Sequence, residues 1–196
     1  TASVAEGDRL LAIPVDCCWT VEAARAHPSL AELGDAVLDA ITPPNLLALH
    51  LLLVRAGPAP TAAASAGDRC RYEHLKVLAT TPIDALWDWS EAELREHLAG
   101  SKWALAPSWA RQDTLADLEE WSQYAPLADL FRECGIDAAH FLWAHKVINS
   151  RMMVFTRAED EGGDLHLIGP GADMFNHSID VPLESRGGMG LERVGT

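Results

Sequence analysis

An asparagine and a histidine stand side by side near the end of the chain, in the segment PGADMFNHSID (Pro170 to Asp180). Asn176 and His177 could simply turn the chain and satisfy backbone groups, or they could contact a polar ligand. The apolar Met174 and Phe175 precede them directly. We expect both to be buried in the core, which would hold the polar pair in a fixed orientation towards a ligand. Local spacing alone leaves both interpretations open.

Histidine is also a common metal ligand, and the chain contains eight. His140 and His145 are five residues apart in a predicted helix, which places them on different faces. His166, Asp173 and His177 could be gathered by a loop, but no metal-binding motif connects them. We therefore expect no metal site.

Cysteine is the other candidate for chemistry, and there are four: Cys17, Cys18, Cys70 and Cys134. None forms a C-x-x-C pair, and the adjacent Cys17 and Cys18 cannot easily bridge each other. This usage predicts free, mostly buried thiols in a reducing compartment. Cys134 has no neighbour in sequence that would activate it as a nucleophile.

Composition limits the classes of partner. The 196 residues are 48% hydrophobic and 22% charged, which is typical of one globular domain. The formal charge of −14 argues against nucleic acid as a partner, whereas an acidic face suits a basic protein or serves solubility. The most apolar run, LLALHLLLV (residues 46–54), is too short to cross a bilayer, so we expect a buried helix and no transmembrane segment.

Capping signals mark two helices in the first third of the chain. Thr20 is a candidate N-cap for a helix that stops before Pro28. Thr42 is a candidate N-cap for a second helix, with prolines in its first turn and Arg55 and Gly57 at its end. The small, Pro- and Gly-rich residues 57–67 predict a surface loop.

Three further helices are predicted downstream. Ser90 and Glu93 form a capping box, and Gly100 is a candidate C-cap. A helix is expected around residues 114–125, and another begins after Asp137 as its cap. The apolar face of this last helix consists of Phe141, Ala144 and Ile148.

Short strand-like segments flank these helices. Residues 8–16 (DRLLAIPVD) predict a strand that Pro14 ends. Residues 152–157 and 165–170 predict two strands of a hairpin with a loop of about six to eight residues. The helices therefore lie between a strand-bearing start and a strand-bearing end.

Four of these segments, in this order, resemble the SET-domain protein methyltransferases, and most of all the branch that includes the Rubisco large-subunit lysine methyltransferase. In that branch a Trp-bearing helix ends in Ser-Arg, and two strands lead to Pro-x-x-Asp-x-x-Asn-His. The matching residues here are Trp143, Ser150, Arg151, Pro170, Asp173, Asn176 and His177. EGDRLLAIP resembles the family's second strand, and DWSEAELREHLAGS resembles the start of a helix in its inserted subdomain. The resemblance covers residues 1 to about 181.

The resemblance implies an α+β fold, a SET-domain β core with a long inserted helical subdomain, incomplete at both ends. The expected divisions are a strand-bearing start over residues 1–30, a helical insert over residues 31–148, and strands with the Asn-His segment over residues 149–196.

It also implies a cofactor, S-adenosylmethionine, and a substrate, a protein lysine. Arg151 would bind the cofactor carboxylate, Asn176 its ammonium group, and the backbone of His177 its adenine. Backbone oxygens near Ser150 and Asp173 would surround the lysine nitrogen. Positioning would supply much of the rate of the in-line methyl transfer.

Two parts of the family's machinery have no counterpart in this sequence. Its Gly-x-Gly loop would precede residue 1, and its catalytic tyrosine would follow Thr196, because Tyr72 and Tyr124 both precede Asn176. We therefore assign no catalytic residue within the chain. An active lysine methyltransferase remains one hypothesis, and a non-catalytic SET-like structural subunit of a larger assembly is the other. The family resemblance adds the plastid stroma to the cytoplasm as a candidate location.

Overall fold

A computed structural model describes residues 8–104, 106–156 and 163–175 of the chain. In these ranges helices predominate, and one small sheet joins the two ends of the described chain. The strands are β1 (Trp19–Thr20), β2 (Met153–Phe155) and β3 (Leu165–Ile168), in the spatial order β1-β3-β2. Both pairings are antiparallel.

The helices fall between β1 and β2. In chain order they are α1 (Val21–Arg25), α2 (Pro28–Ala31), α3 (Asp35–Ala40), α4 (Pro43–Ala56), α5 (Ala66–Thr80), α6 (Glu91–His97), α7 (Ala106–Trp121), α8 (Ala125–Cys134) and α9 (Ala138–Arg151). Short 3-10 turns at Val15–Cys17, Leu86–Asp88 and Ala172–Met174 complete the described elements.

Helix α4 is the centre of the core. Every residue from Asn45 to Leu53 on it is buried, and it packs mainly against α9. On α9 the predicted apolar face is confirmed, because Phe141, Ala144 and Ile148 are fully buried. A helix that is apolar almost all round must be enclosed by protein, which explains why other helices and the sheet surround α4.

The sheet separates this core from a smaller apolar cluster. Ile168 faces the main core together with Trp19, whereas Leu165 and Leu167 pack with Cys18 on the other face. This alternation follows from the two-residue period of a strand. β3 pairs with both neighbours, so it is the middle strand that ties β1 to β2.

Several predicted caps are confirmed. The Thr20 hydroxyl accepts from the Ala23 amide at the start of α1, and Ser90 and Glu93 form the capping box of α6. The Asp137 carboxylate accepts from the His140 amide at the start of α9. Thr42 occupies the N-cap position of α4, but its side chain makes no capping hydrogen bond.

Other predictions about helix ends were wrong. Helix α6 ends at His97 with Leu98 as its C-cap, so Gly100, at a φ of 78°, lies beyond the helix. The helix expected around residues 114–125 is present as α7, but it begins earlier, at Ala106, and ends at Trp121. By contrast, the predicted end of a helix before Pro28 is confirmed, because α1 ends at Arg25 and Pro28 opens α2 at its first turn, where a missing amide costs nothing.

The strand predicted over residues 8–16 was also wrong. Residues 8–14 have no regular structure, and Pro14 begins a 3-10 turn in which its carbonyl accepts from the Cys17 amide. The β1 strand instead forms at Trp19–Thr20, because these residues, and not the earlier ones, pair with β3. The predicted pairing of β2 with β3 is confirmed.

Candidate functional site

The end of α9 and the turn after β3 meet beside the sheet. Arg151 is the last residue of α9, and β2 begins two residues later, at Met153. After β3 the chain passes through Gly171, whose φ of 87° favours glycine, into the 3-10 turn Ala172–Met174. This turn brings Asp173 to Arg151, although the two are far apart in the sequence.

Three donors converge on the carboxylate of Asp173. Its side chain is completely buried. Oδ1 accepts from the Gly171 amide at 2.9 Å, and Oδ2 accepts from His74 Nε2 at 3.1 Å and from Arg151 Nη1 at 3.3 Å. Burial by itself raises the pKa of Asp173, but the hydrogen bond from His74 and the charge of Arg151 outweigh it and hold this pKa below its usual value.

Arg151 contributes only part of its guanidinium to this contact. Nη1 donates to the carbonyl oxygen of Asp173 at 3.1 Å and also contacts Met174 Sδ at 3.1 Å. Nε is buried and has no hydrogen-bond partner in the described part of the chain. A buried, unpartnered donor on a charged group is costly, so it marks a place where a ligand acceptor would be stabilising.

His74 connects this contact to the sheet. It lies on α5, its Nε2 faces Asp173, and its Nδ1 accepts from the indole Nε1 of Trp19 at 3.0 Å. Trp19 is fully buried in β1 and His74 is almost so. We call the series Trp19, His74, Asp173 and Arg151 the polar chain, because each member contacts the next.

The residues predicted as site residues from the sequence have different surroundings. Arg151 and Asp173 lie together, and Ser150 is exposed beside them, its hydroxyl donating to the Val147 carbonyl at 3.1 Å. The Asp173 carbonyl, predicted to lie near a substrate lysine, accepts from Arg151. Asn176 and His177 lie outside the described residues.

The predicted core position of Met174 and Phe175 was wrong. Their exposures are 50% and 62%. Polar bonds through Asp173, rather than burial of these two side chains, fix the turn, since Asp173 holds Gly171, His74 and Arg151 at once. The segment before the Asn-His pair is therefore anchored by one residue.

Sequence reasoning missed Trp19 and His74. The only signal for His74 is its place beside Leu75 and ahead of Leu78, on the buried face of α5. A histidine there is as consistent with a core residue as with a site residue. Trp143, which carried part of the resemblance, lies elsewhere, with the Arg55 guanidinium 4.4 Å from the centre of its ring.

Cys18, Cys70 and Cys134 have thiols whose pKa is raised. All four are free, but only Cys18 is buried, so the expectation of mostly buried thiols was wrong. Burial, with the neighbouring thiols of Cys17 and Cys70, raises the pKa of Cys18 to about 11. Burial also raises the pKa of Cys70 and Cys134. Thiols of this kind are poor nucleophiles at neutral pH.

The described ranges contain neither a metal-binding cluster nor a membrane-spanning helix. No group of three or more histidine, cysteine or acidic side chains there is arranged to hold a metal ion. Likewise, none of the helices in those ranges combines the length and the apolar character needed to cross a membrane.

Comparison with known proteins identifies the fold. No protein-family model matches the chain, and no curated protein matches it. Among solved structures, the chain is similar to the crystal structure of the SET domain of LSMT bound to lysine and AdoHcy. The match has a TM-score of 0.61 and 22% sequence identity, and it covers 87% of this chain and 34% of the other. The described chain therefore has a SET-like α+β fold and spans about a third of that protein's length.

Proposed function

We propose that the chain is part of an S-adenosylmethionine-dependent protein-lysine N-methyltransferase of the Rubisco large-subunit methyltransferase branch. The observation that carries the proposal is the fold it shares with a SET domain bound to lysine and AdoHcy. The sequence adds a Ser-Arg pair at the end of α9 and an Asn-His pair after β3, in the order typical of that branch.

The residues present fit such a cofactor. A carboxylate is well suited to the planar donors of a guanidinium, and Arg151 has a buried Nε with no partner among the described residues. Asp173 keeps the guanidinium in place through Nη1. In this proposal Arg151 binds the cofactor carboxylate, while Asn176 and His177 bind its ammonium group and adenine.

The cofactor supplies an electrophilic methyl group on a sulfonium. The methyl acceptor would be a protein lysine, which would have to present its uncharged amine in line with the carbon–sulfur bond of the cofactor. Backbone oxygens near Ser150 and Asp173 orient the amine, and this alignment provides much of the rate. The acidic charge of −14 favours a basic protein substrate.

Calorimetric titration with S-adenosylhomocysteine tests the cofactor assignment on the natural protein that contains this chain. Arg151→Ala removes a charged donor, so binding should weaken by about 1.5–3 kcal/mol, or about 10- to 150-fold. Arg132→Ala is the matched control, because Arg132 is exposed on α8 and pairs only with Asp129 among the contacts described. Equal affinity of Arg151→Ala and wild type would make Arg151 a purely structural residue.

Catalysis is tested by transfer of a radiolabelled methyl group into lysate protein, with Asn176→Ala as a variant expected to lose transfer. Labelling by wild type that Asn176→Ala abolishes supports the methyltransferase. Tight binding of S-adenosylhomocysteine without any labelling would favour the non-catalytic structural subunit.

A further inference from the structure

We propose that His74 is a positioning residue for the cofactor site. Through Asp173, His74 determines the orientation of the Arg151 guanidinium. The inference rests on the proposed function and adds to it a residue of the helical region that reaches Arg151 through Asp173. His74 lies on α5, Arg151 ends α9, and Asp173 joins them.

The Trp19 indole fixes the tautomer of His74. An indole N–H can only donate, so His74 Nδ1, at 3.0 Å from Trp19 Nε1, must be unprotonated and accept. The ring proton therefore sits on Nε2, which donates to Asp173 Oδ2 at 3.1 Å. The Asp173 carboxylate can only accept, so both neighbours of His74 favour the same tautomer.

His74 competes with Arg151 for the same oxygen. Arg–carboxylate pairs favour a two-pronged contact that uses two guanidinium nitrogens. Here Oδ1 is taken by the Gly171 amide and Oδ2 is shared with His74. Arg151 consequently reaches the carboxylate through Nη1 alone, at 3.3 Å, and its Nε keeps no partner among the described residues. That Nε is the donor available to a cofactor carboxylate.

Helix α5, which bears His74, is fixed by contacts with the residues just before β1. Arg71, one turn before His74, donates to the carbonyls of Asp16 and Cys18, just ahead of β1. Gly67, one turn earlier, lies so close to the Asp16 carbonyl that a Cβ there would overlap it. These contacts fix α5 against the residues that lead into Trp19, so His74 and Trp19 keep their register.

The test titrates the natural protein with S-adenosylhomocysteine. In His74→Leu, Oδ2 loses its competing donor, and the guanidinium of Arg151 can turn to make a two-pronged contact with Asp173 through Nε and Nη2, which withdraws Nε from the cofactor. Affinity should fall by about tenfold or more, the effect of one lost hydrogen bond to a charged group. His74→Gln should recover most of the affinity, because one amide can accept from Trp19 and donate to Asp173.

Leu78→Ala is the matched control for stability. Leu78 is fully buried on α5, one turn beyond His74, and its truncation destabilises the helix packing without removing a member of the polar chain. It should leave the affinity for S-adenosylhomocysteine unchanged. Equal losses of affinity in Leu78→Ala and His74→Leu, at similar thermal midpoints, would show a general structural effect and overturn the inference.

Nitrogen NMR of labelled histidine reads the tautomer independently of binding. His74 should show an unprotonated Nδ1 and a protonated Nε2 in wild type, and Nε2 should stay protonated in Trp19→Phe, because the Asp173 carboxylate still accepts from it. The opposite tautomer in wild type would overturn the inference.

The two proposals fail in different ways. If wild type binds and Arg151→Ala weakens binding while His74→Leu does not, only the positioning role is lost. If wild type does not bind S-adenosylhomocysteine at all, the proposed function fails and the positioning role fails with it.

Discussion

His50 lies in the middle of α4 among leucines, and its side chain is almost completely buried. The rings of Trp19 and His27 contact it edge-on. Burial, with the charges of Arg71 and His27, lowers the pKa of His50 to about 3, and Asp68 opposes this only weakly. The folded protein therefore keeps His50 uncharged over a pH range in which the unfolded chain protonates it.

This arrangement makes acid stability depend on His50. The unfolded state takes up a proton below its ordinary pKa of 6.5, and the folded state does so only near 3, so stability falls as the pH drops between these values. Between pH 7.5 and pH 5 the loss from this residue should be about 2 kcal/mol. Over the same pH change, the free energy of unfolding of His50→Leu should fall by about 2 kcal/mol less than that of wild type. Urea unfolding of both proteins at the two pH values measures the difference, and parallel losses would contradict the prediction.

His145 on α9 follows the same rule. Burial lowers its pKa to about 4, and the carboxylate of Asp117 opposes this shift. The residual acid sensitivity of His50→Leu is therefore expected to include a contribution from His145. Neither histidine was assigned a role from the sequence, because burial that changes a side chain's ionisation is a property of the packed core.

At the scale of elements, the packing of α5 on the turn Val15–Cys17 depends on one glycine. Gly67 lies in the first turn of α5, where an added Cβ would overlap the Asp16 carbonyl. Gly67→Ala should therefore destabilise the protein by about 1–3 kcal/mol, the usual cost of overpacking. Chemical denaturation measures this cost.

Ala66→Gly is the control for that substitution. It changes the neighbouring, exposed residue of the same helical turn, so only the lower helix propensity of glycine applies, at most about 1 kcal/mol. A stability of Gly67→Ala equal to that of wild type would mean that α5 can move away from the turn without cost.

Elements with local signals were predictable from the sequence, and those made by distant contacts were not. The capping box at Ser90 and the apolar face of α9 are local patterns, and both are confirmed. The strand predicted over residues 8–16 has suitable residue types, but no described strand pairs with residues 8–14. Strand formation requires a partner, and sequence pattern alone does not supply one.

In the candidate site, too, residues in local motifs were predictable, whereas residues brought in by distant contacts were not. The Ser-Arg pair and Asp173 lie in recognisable segments, so the sequence predicted them as site residues. His74 entered no prediction, because its contact with Asp173 spans 99 positions and leaves no local trace. The exposure of Phe175 could not be inferred either, because its apolar character predicts burial unless the polar anchoring by Asp173 is known.

For the whole molecule, the excess of acidic side chains sets a response to salt. With 29 Asp and Glu against 15 Lys and Arg, self-repulsion opposes the compact state, and salt screens it. Raising NaCl from 20 to 300 mM should increase the thermal midpoint, and KCl should act equally at the same ionic strength. A lower midpoint at high salt would show that the surface ion pairs outweigh the repulsion.

The middle position of β3 has a consequence for the order of folding. Trp19 in β1 pairs with Ile168 in β3. Almost the whole described chain must therefore be synthesised before β1 has a partner strand. Closing a loop of about 150 residues costs about 4 kcal/mol of chain entropy if the intervening chain is unstructured. Helices form from near neighbours and can assemble earlier, so α4 and the helices around it shorten that loop. The polar chain, which needs Trp19, His74 and Asp173 together, consequently forms only after Asp173 has been synthesised, when the helices around α4 can already have assembled.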